Sequence, residues 1–358
     1  MTHLVKFMSH SLALAQKALR ARKVKNLTHK CSLQNISTNS HQRHLLVTTH
    51  FHEDYGHSND RNQCNITILL GTSFAFLGFF EKKEEEENPL ITTLKRSILL
   101  IQKGEFKKAE QMLHIALKQA QDLQNEDGIT YVYDVMANLA FEVGEYEKAE
   151  KLFKAVMQRE LAKGTSQNDM KIVHMSLKMA KILEQRRLYD NAELGYKYCL
   201  KILQEHIDHE TEDLDIIALY AMNVDWYAHF LMTMSRYTEA MRFMEKAYDL
   251  CVKLNGEIHE QSVVLLNDLG SICFIKGNLD EAINFLSKAA EIGANLPDME
   301  DLSSIHINLG NVYIKKGLLD EAKKCCTTGW RLSKSKKNLE TLEEAKTCLD
   351  EVNKLLTK

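Results

Sequence analysis

The chain has 358 residues, 44% hydrophobic and 27% charged, enough for one large ordered domain plus an appendage. Only two prolines and 15 glycines, with 14 methionines and abundant Leu, Lys and Glu, favour helix throughout. The net charge of −3 conceals an acidic body: residues 1–50 hold eight Lys or Arg and no acid, and the rest carries 38 basic against 49 acidic residues. Such a body offers no wide basic surface, so nucleic acid is not an expected partner.

In chain order, an acid-free N-terminus containing Arg and Ser has the make-up of a mitochondrial presequence. Leu4, Met8, Leu12, Ala15 and Leu19 share one helical face, with Lys6, Lys17 and Arg20 away from it. A disordered basic tail or a nucleic-acid arm is the alternative. Residues 26–63 are rich in Asn, Ser, Thr and His without periodicity and read as a disordered spacer, so 1–63 form one unit. Ile66 to Phe80 is uncharged, and as a helix it spans roughly 22 Å against a hydrocarbon core of about 30 Å. Extended to residues 64–83, where Lys82 and Lys83 reach the headgroups, it predicts a short transmembrane anchor. A buried or self-associating apolar segment is the competing reading. Residues 84–90 form an acidic linker. A presequence followed by a stop-transfer segment would leave the C-terminal body in the intermembrane space.

From residue 91 to 335 a helical hairpin repeats. Its clearest copy is Leu265 to Ala290: Leu266, Leu269, Gly270 and Cys273 stripe a first helix, Gly277 marks a turn, and Leu279, Ala282, Leu286 and Ala289 stripe a second. The second-helix alanine recurs as Ala109, Ala149, Ala192, Ala240, Ala282 and Ala322, spaced by 40, 43, 48, 42 and 40 residues. The turn position is Gly104, Gly144, Arg187, Ser235, Gly277 and Gly317. Small residue, turn glycine and small residue in this register are the signature of a tetratricopeptide repeat, lengthened here from the usual 34 residues. The spacing predicts helix pairs near 91–123, 126–162, 167–206, 211–254, 259–294 and 300–334. Leu339 to Leu356 is amphipathic, and residues 336–358 form a capping helix. The expected fold is therefore all-α, a right-handed superhelical solenoid of about six long repeats with a C-terminal cap.

Catalytic and metal chemistry find no pattern. Cys199, Cys273 and Cys326 occupy small-residue packing positions, no C-x-x-C occurs, and the cysteine spacing nominates no disulfide. Phosphate-loop, nucleophile-elbow, zinc-protease and dinucleotide motifs are absent. The expectation is a non-enzymatic protein without cofactor or metal. An enzyme with an unrecognised site is a further alternative.

What remains is surface. First helices of such repeats line a concave groove, and the outward positions are Tyr131, Asp134 and Asn138, then His174, Lys178 and Lys181. They continue with Asp225, Trp226 and His229, with Asn267 and Ser271, and with Asn308, Asn311 and Lys315. Asn and Lys here would hydrogen-bond an extended peptide backbone. Asp134 and Asp225 stand where a carboxylate clamp would need cations, which disfavours a chaperone tail.

Gly256-Glu257-Ile258-His259 resembles the G-x-x-H of kinesin light chains, without the following proline. A cytosolic cargo adaptor of that kind is the alternative function. Residues 94–120 and 129–157 resemble the first two repeats of the tetratricopeptide repeat protein nineteen family, most specifically at Tyr131 to Asp134 and Met136 to Ala140. Residues 191–200 are similar to its third repeat. That resemblance implies a mitochondrial inner-membrane protein that associates with respiratory complex III subunits and supports the assembly or maintenance of the complex, including handling of the Rieske protein.

Overall fold

The computed structural model describes residues 88–208, 213–297 and 299–357, and among them it contains thirteen α-helices and no strand. The expected presequence and spacer (1–63), the apolar segment (64–83) and residues 84–87 lie outside the described residues. No helix among those described is long and apolar enough to cross a membrane.

The helices are α1 (Pro89–Gln102), α2 (Phe106–Asp122), α3 (Glu126–Glu142), α4 (Tyr146–Ala162), α5 (Met170–Gln185), α6 (Tyr189–Asp208) and α7 (Leu214–Thr233). They continue as α8 (Tyr237–Asn255), α9 (Glu260–Lys276), α10 (Leu279–Ala294), α11 (Leu302–Lys316), α12 (Leu319–Ser335) and α13 (Leu339–Leu356). The chain divides into two compact units, which meet within α7: 88–227 belongs to the first and 228–357 to the second.

Local chemistry sets both ends of each hairpin. Several first helices begin with a side-chain cap, which satisfies an orphan backbone N–H. Asn88 accepts from Leu90 N at 3.0 Å with Pro89 at the helix start, Asn125 from Gly128 N at 2.8 Å, and Asp169 from Lys171 N at 2.9 Å. His259 accepts from Gln261 N at 3.1 Å, so the G-x-x-H stretch, with Gly256 at φ +84°, is a helix-starting turn. Turns within the hairpins are backbone-made. Residues 104, 144, 187, 235, 277 and 317 all have positive φ, between 59° and 85°. The N–H that follows each reaches back five residues to a carbonyl, as Glu105 to Leu100 at 2.9 Å and Leu318 to Tyr313 at 2.9 Å. This is the Schellman closure, which uses the last free carbonyls of the first helix and needs a left-handed residue.

Packing follows from small residues. All six template alanines are fully buried. A Cβ on Gly270 would lie 2.6 Å from Leu286 Cγ, and one on Gly195 2.8 Å from Ala180 Cβ, so the helix backbones meet at those points. In the first unit Ile101, Leu113, Val132 and Leu139 join α1, α2 and α3, while Phe153, Ile172 and Ile182 continue the core through α4 and α5. In the second, Val263, Leu266, Ala289 and Ile305 link α9, α10 and α11. Ala345, Cys348 and Val352 of α13 bury Ile307, Ala322 and Cys326, which closes the last hairpin with an eighteen-residue helix. Cys326 is a core residue as expected and also forms a disulfide with Cys348, Cα to Cα 5.8 Å, which the cysteine spacing did not nominate. Gly310 makes room for it, since a Cβ there would stand 2.6 Å from Cys326 Sγ.

Candidate functional site

The expected groove residues of the first unit lie on α3, α5 and α7. Tyr131 and Asp134 are half-buried, Tyr131 against the core of α1 to α3. Asn138 is almost fully buried, and its Nδ2 donates to the Asp134 carbonyl at 2.8 Å and to Asp134 Oδ1 at 3.2 Å. Its Oδ1 accepts from Lys178 Nζ, which lies 5.9 Å from the Phe153 ring centre. Burial holds the Lys178 ammonium down to about 8, although the carboxylates of Asp134 and Glu142 favour its charge. His174, one turn away, is kept neutral by burial and by the Lys178 charge.

Lys181, Asp225 and Trp226 differ from the outward positions expected of them: each is at most 2% exposed. The cause is local. Phe141 of α3 and Trp226 of α7 stack across α5, ring centres 6.2 Å apart, and the Lys181 ammonium sits 5.9 Å from the indole. Glu184 Oε2 accepts from Lys181 Nζ at 2.8 Å and from Tyr196 OH at 2.6 Å. Burial and the Glu184 carboxylate push the Tyr196 hydroxyl well above its ordinary range, so it remains a donor. A buried charge persists when paired and hydrogen-bonded in this way. Asn138, too, is more deeply set than a free peptide ligand.

In the second unit His229 Nε2 and Asp268 Oδ2 are 3.0 Å apart, both largely shielded. Asn308 Nδ2 donates to Asn267 Oδ1 at 2.9 Å, and Ser271 Oγ donates to the Asn267 carbonyl at 2.8 Å. Asn311 is half-buried on α11, and Lys315 is exposed with its ammonium 4.5 Å from the Phe274 ring centre. Gly144, Gly277 and Gly317 hold the hairpin turns and take no part in these faces.

Three of these contacts share a spacing. Lys178 and Asn138, His229 and Asp268, and Asn308 and Asn267 are separated by 40, 39 and 41 residues, one repeat in each case. Equivalent turns of neighbouring first helices thus bond across the seam and set a polar ladder on each unit. Asp268 was not singled out in the sequence, yet its place one repeat after His229 is a readable signal; Glu184, Tyr196 and Phe141 carry none. Among the described residues no group of three or more His, Cys, Asp and Glu side chains could hold a metal. Burial pushes the Cys199 and Cys273 thiols up to about 12, far from the thiolate that nucleophilic chemistry requires.

Tetratricopeptide repeat profiles match residues 219–295 and 303–329. The crystal structure of BtubC (BKLC) from P. vanneervenii superposes with a TM-score of 0.54 at 22% identity, covering 66% of this chain and 92% of that one. The apo form of RapI gives 0.59 at 14% identity, covering 75% and 72%. Both likenesses are of fold alone. The mitochondrial tetratricopeptide repeat protein 19 homolog of Drosophila melanogaster is 38% identical over 284 residues, 78% of this chain and 76% of that protein. Mitochondrial tetratricopeptide repeat protein 19 of Homo sapiens is 34% identical over 281 residues, 76% and 74% of the two chains. With such identity across most of both proteins, and with the repeat hairpins in place, the chain belongs to the tetratricopeptide repeat protein 19 family.

Proposed function

We propose that this chain is a non-enzymatic mitochondrial protein-binding factor that supports assembly or maintenance of respiratory complex III, including handling of the Rieske protein. The observation that carries the binding role is the polar ladder of Asp134, Asn138 and Lys178, repeated in kind by Asn267 and Asn308. Half-buried Asp134 and Lys178 are held in place through the buried Asn138, and half-buried Asn267 and Asn308 through each other, so an incoming peptide backbone meets polar groups already oriented. Relatives named as mitochondrial support the compartment. The complex III partner rests on the family resemblance at Tyr131 to Asp134 and Met136 to Ala140. In this reading residues 64–83 tether the chain to the inner membrane with the repeats in the intermembrane space, and the tether raises the effective concentration of the groove near membrane partners.

The test is affinity capture of tagged protein from mitochondria solubilised in mild detergent, read by mass spectrometry. Tyr131→Ala with Asp134→Ala alters two half-buried positions and leaves buried Asn138 in place. Recovery of cytochrome bc1 subunits that falls about tenfold with the double change is the expected result. Unchanged recovery would move the contact off this face, and absence of those subunits from the wild-type capture would remove the partner.

A further inference from the structure

The charge of the second unit is unevenly placed. Residues 323–337 contain six Lys or Arg and no acid, and they cover most of α12 and the turn after it. Several cations elsewhere in the unit stand beside carboxylates: Lys288 pairs with Glu257 at 2.6 Å, Lys346 with Glu343 at 2.9 Å, and Lys316 with Asp280. Lys323, Lys324, Arg331 and Lys337 are exposed and have no carboxylate at ion-pair distance among the described residues. Lys336 is different, since its Nζ donates to the Met299 carbonyl at 2.6 Å.

The opposite face of α12 is fixed. Ala322, Cys326, Gly329 and Ser333 are buried, and the disulfide fastens Cys326 to α13. A Cβ on Gly329 would lie 2.7 Å from Ile307 Cγ1, so α12 sits hard against α11. The cations therefore form a row on a rigid helix, roughly 20 Å long from residue 323 to 337 at the helical rise.

We propose that this outer face of α12 docks on an anionic phospholipid bilayer. A row of flexible ammonium groups without fixed acceptors beside it suits a flat, multivalent anion that makes no directional demands. A nucleic acid would want a wider basic surface and an aromatic face free for stacking. The half-buried Trp330 has the Lys334 ammonium 4.8 Å from its ring centre. The hydroxyls of Thr327 and Thr328 are turned onto the helix's own carbonyls, at 2.7 and 3.0 Å, which leaves an acidic peptide little beyond charge to recognise. The inference stands apart from the groove reading.

The test uses the full chain in phosphatidylcholine vesicles with and without phosphatidylglycerol, with an amine-reactive label quantified lysine by lysine. Any insertion of residues 64–83 is common to both vesicles, and because the basic residues 1–50 are also drawn to the anionic ones, the report of the charged face is the labelling at Lys323 and Lys324 themselves. Labelling of Lys323 and Lys324 should slow about fivefold or more on the anionic vesicles. It should recover at about 1 M salt, where the Debye length is near 3 Å. Exposed Lys151 on α4 should not change. Arg331→Gln with Lys334→Gln and Lys337→Gln, all at exposed positions, should abolish the protection while helicity by circular dichroism is kept. Equal labelling on both vesicles would overturn the proposal. So would protection by a polyglutamate peptide or an oligonucleotide, at matched charge, that exceeds protection by the vesicle.

Discussion

Lys178 carries its charge where water is scarce, with Asn138 Oδ1 as its hydrogen-bond acceptor and the Phe153 ring nearby. Its folded value of about 8 lies below the roughly 10.4 of an unfolded lysine. Between those two values the unfolded chain binds a proton that the folded chain does not, so stability from this group rises with pH across that window. Below about 8 the full cost of the buried charge is present. Asp134 works against that cost, and Asp134→Asn should lower the Lys178 midpoint further, by about one unit, in an NMR titration of its side chain. A midpoint that stays or rises would show that the two groups do not interact. Glycines separate two other effects. Gly270→Ala would drive a methyl onto Leu286 and the Ala282 carbonyl, 2.6 and 3.3 Å away, and should cost about 1–3 kcal/mol in urea unfolding. Gly277→Ala meets no atom within 4 Å but keeps a φ of +85°, so its cost of about 1 kcal/mol comes from the backbone alone.

The hairpin is the element in which sequence and structure coincide most closely, and the reason is covalent geometry. A Schellman turn demands one left-handed residue, and glycine fills four of the six such positions, which makes the register readable along the chain. Arg187 and Ser235 fill the other two, at φ 64° and 59°. They were placed by register alone, since neither residue type announces a turn. Because an L-residue is disfavoured there by about 1–2 kcal/mol and glycine loses roughly 0.5–1 kcal/mol in chain entropy, Arg187→Gly or Ser235→Gly should stabilise by about 0.5 kcal/mol. Thermal midpoints would show it, and a fall in both variants would mean that the side chains contribute more than the strain removed. The pairing of Cys326 with Cys348 was not legible, because a small buried residue suffices at position 326 and nothing in a one-residue code says that a partner thiol stands across the seam.

At the scale of the whole molecule, neighbour-to-neighbour contact explains both what the sequence conveyed and what it withheld. Groove positions follow from helix periodicity, yet periodicity does not say how near two first helices come. The stack of Phe141 on Trp226, with the Lys181 ammonium 5.9 Å from the indole, lies where open positions were expected, and Asp225 is buried there too. The polar ladder, in contrast, is a one-repeat offset and can be read once the repeat length is known. The same short-range logic makes the effect of the cap predictable. In a repeat array each hairpin draws stability from its own interior and from adjoining seams. Removing residues 337–358 takes away Ala345, Cys348 and Val352, and with them the cover over Ile307, Ala322 and Cys326. Hydrogen exchange should then accelerate in α11 and α12 by at least tenfold, the equivalent of about 1.4 kcal/mol of local stability. The amides of α3 and α4, whose core contacts lie with α1, α2 and α5, should keep their protection. If protection were lost evenly from α3 to α12, the helices would be unfolding as a single cooperative body, and stability would not be the sum of neighbouring seams that the packing implies.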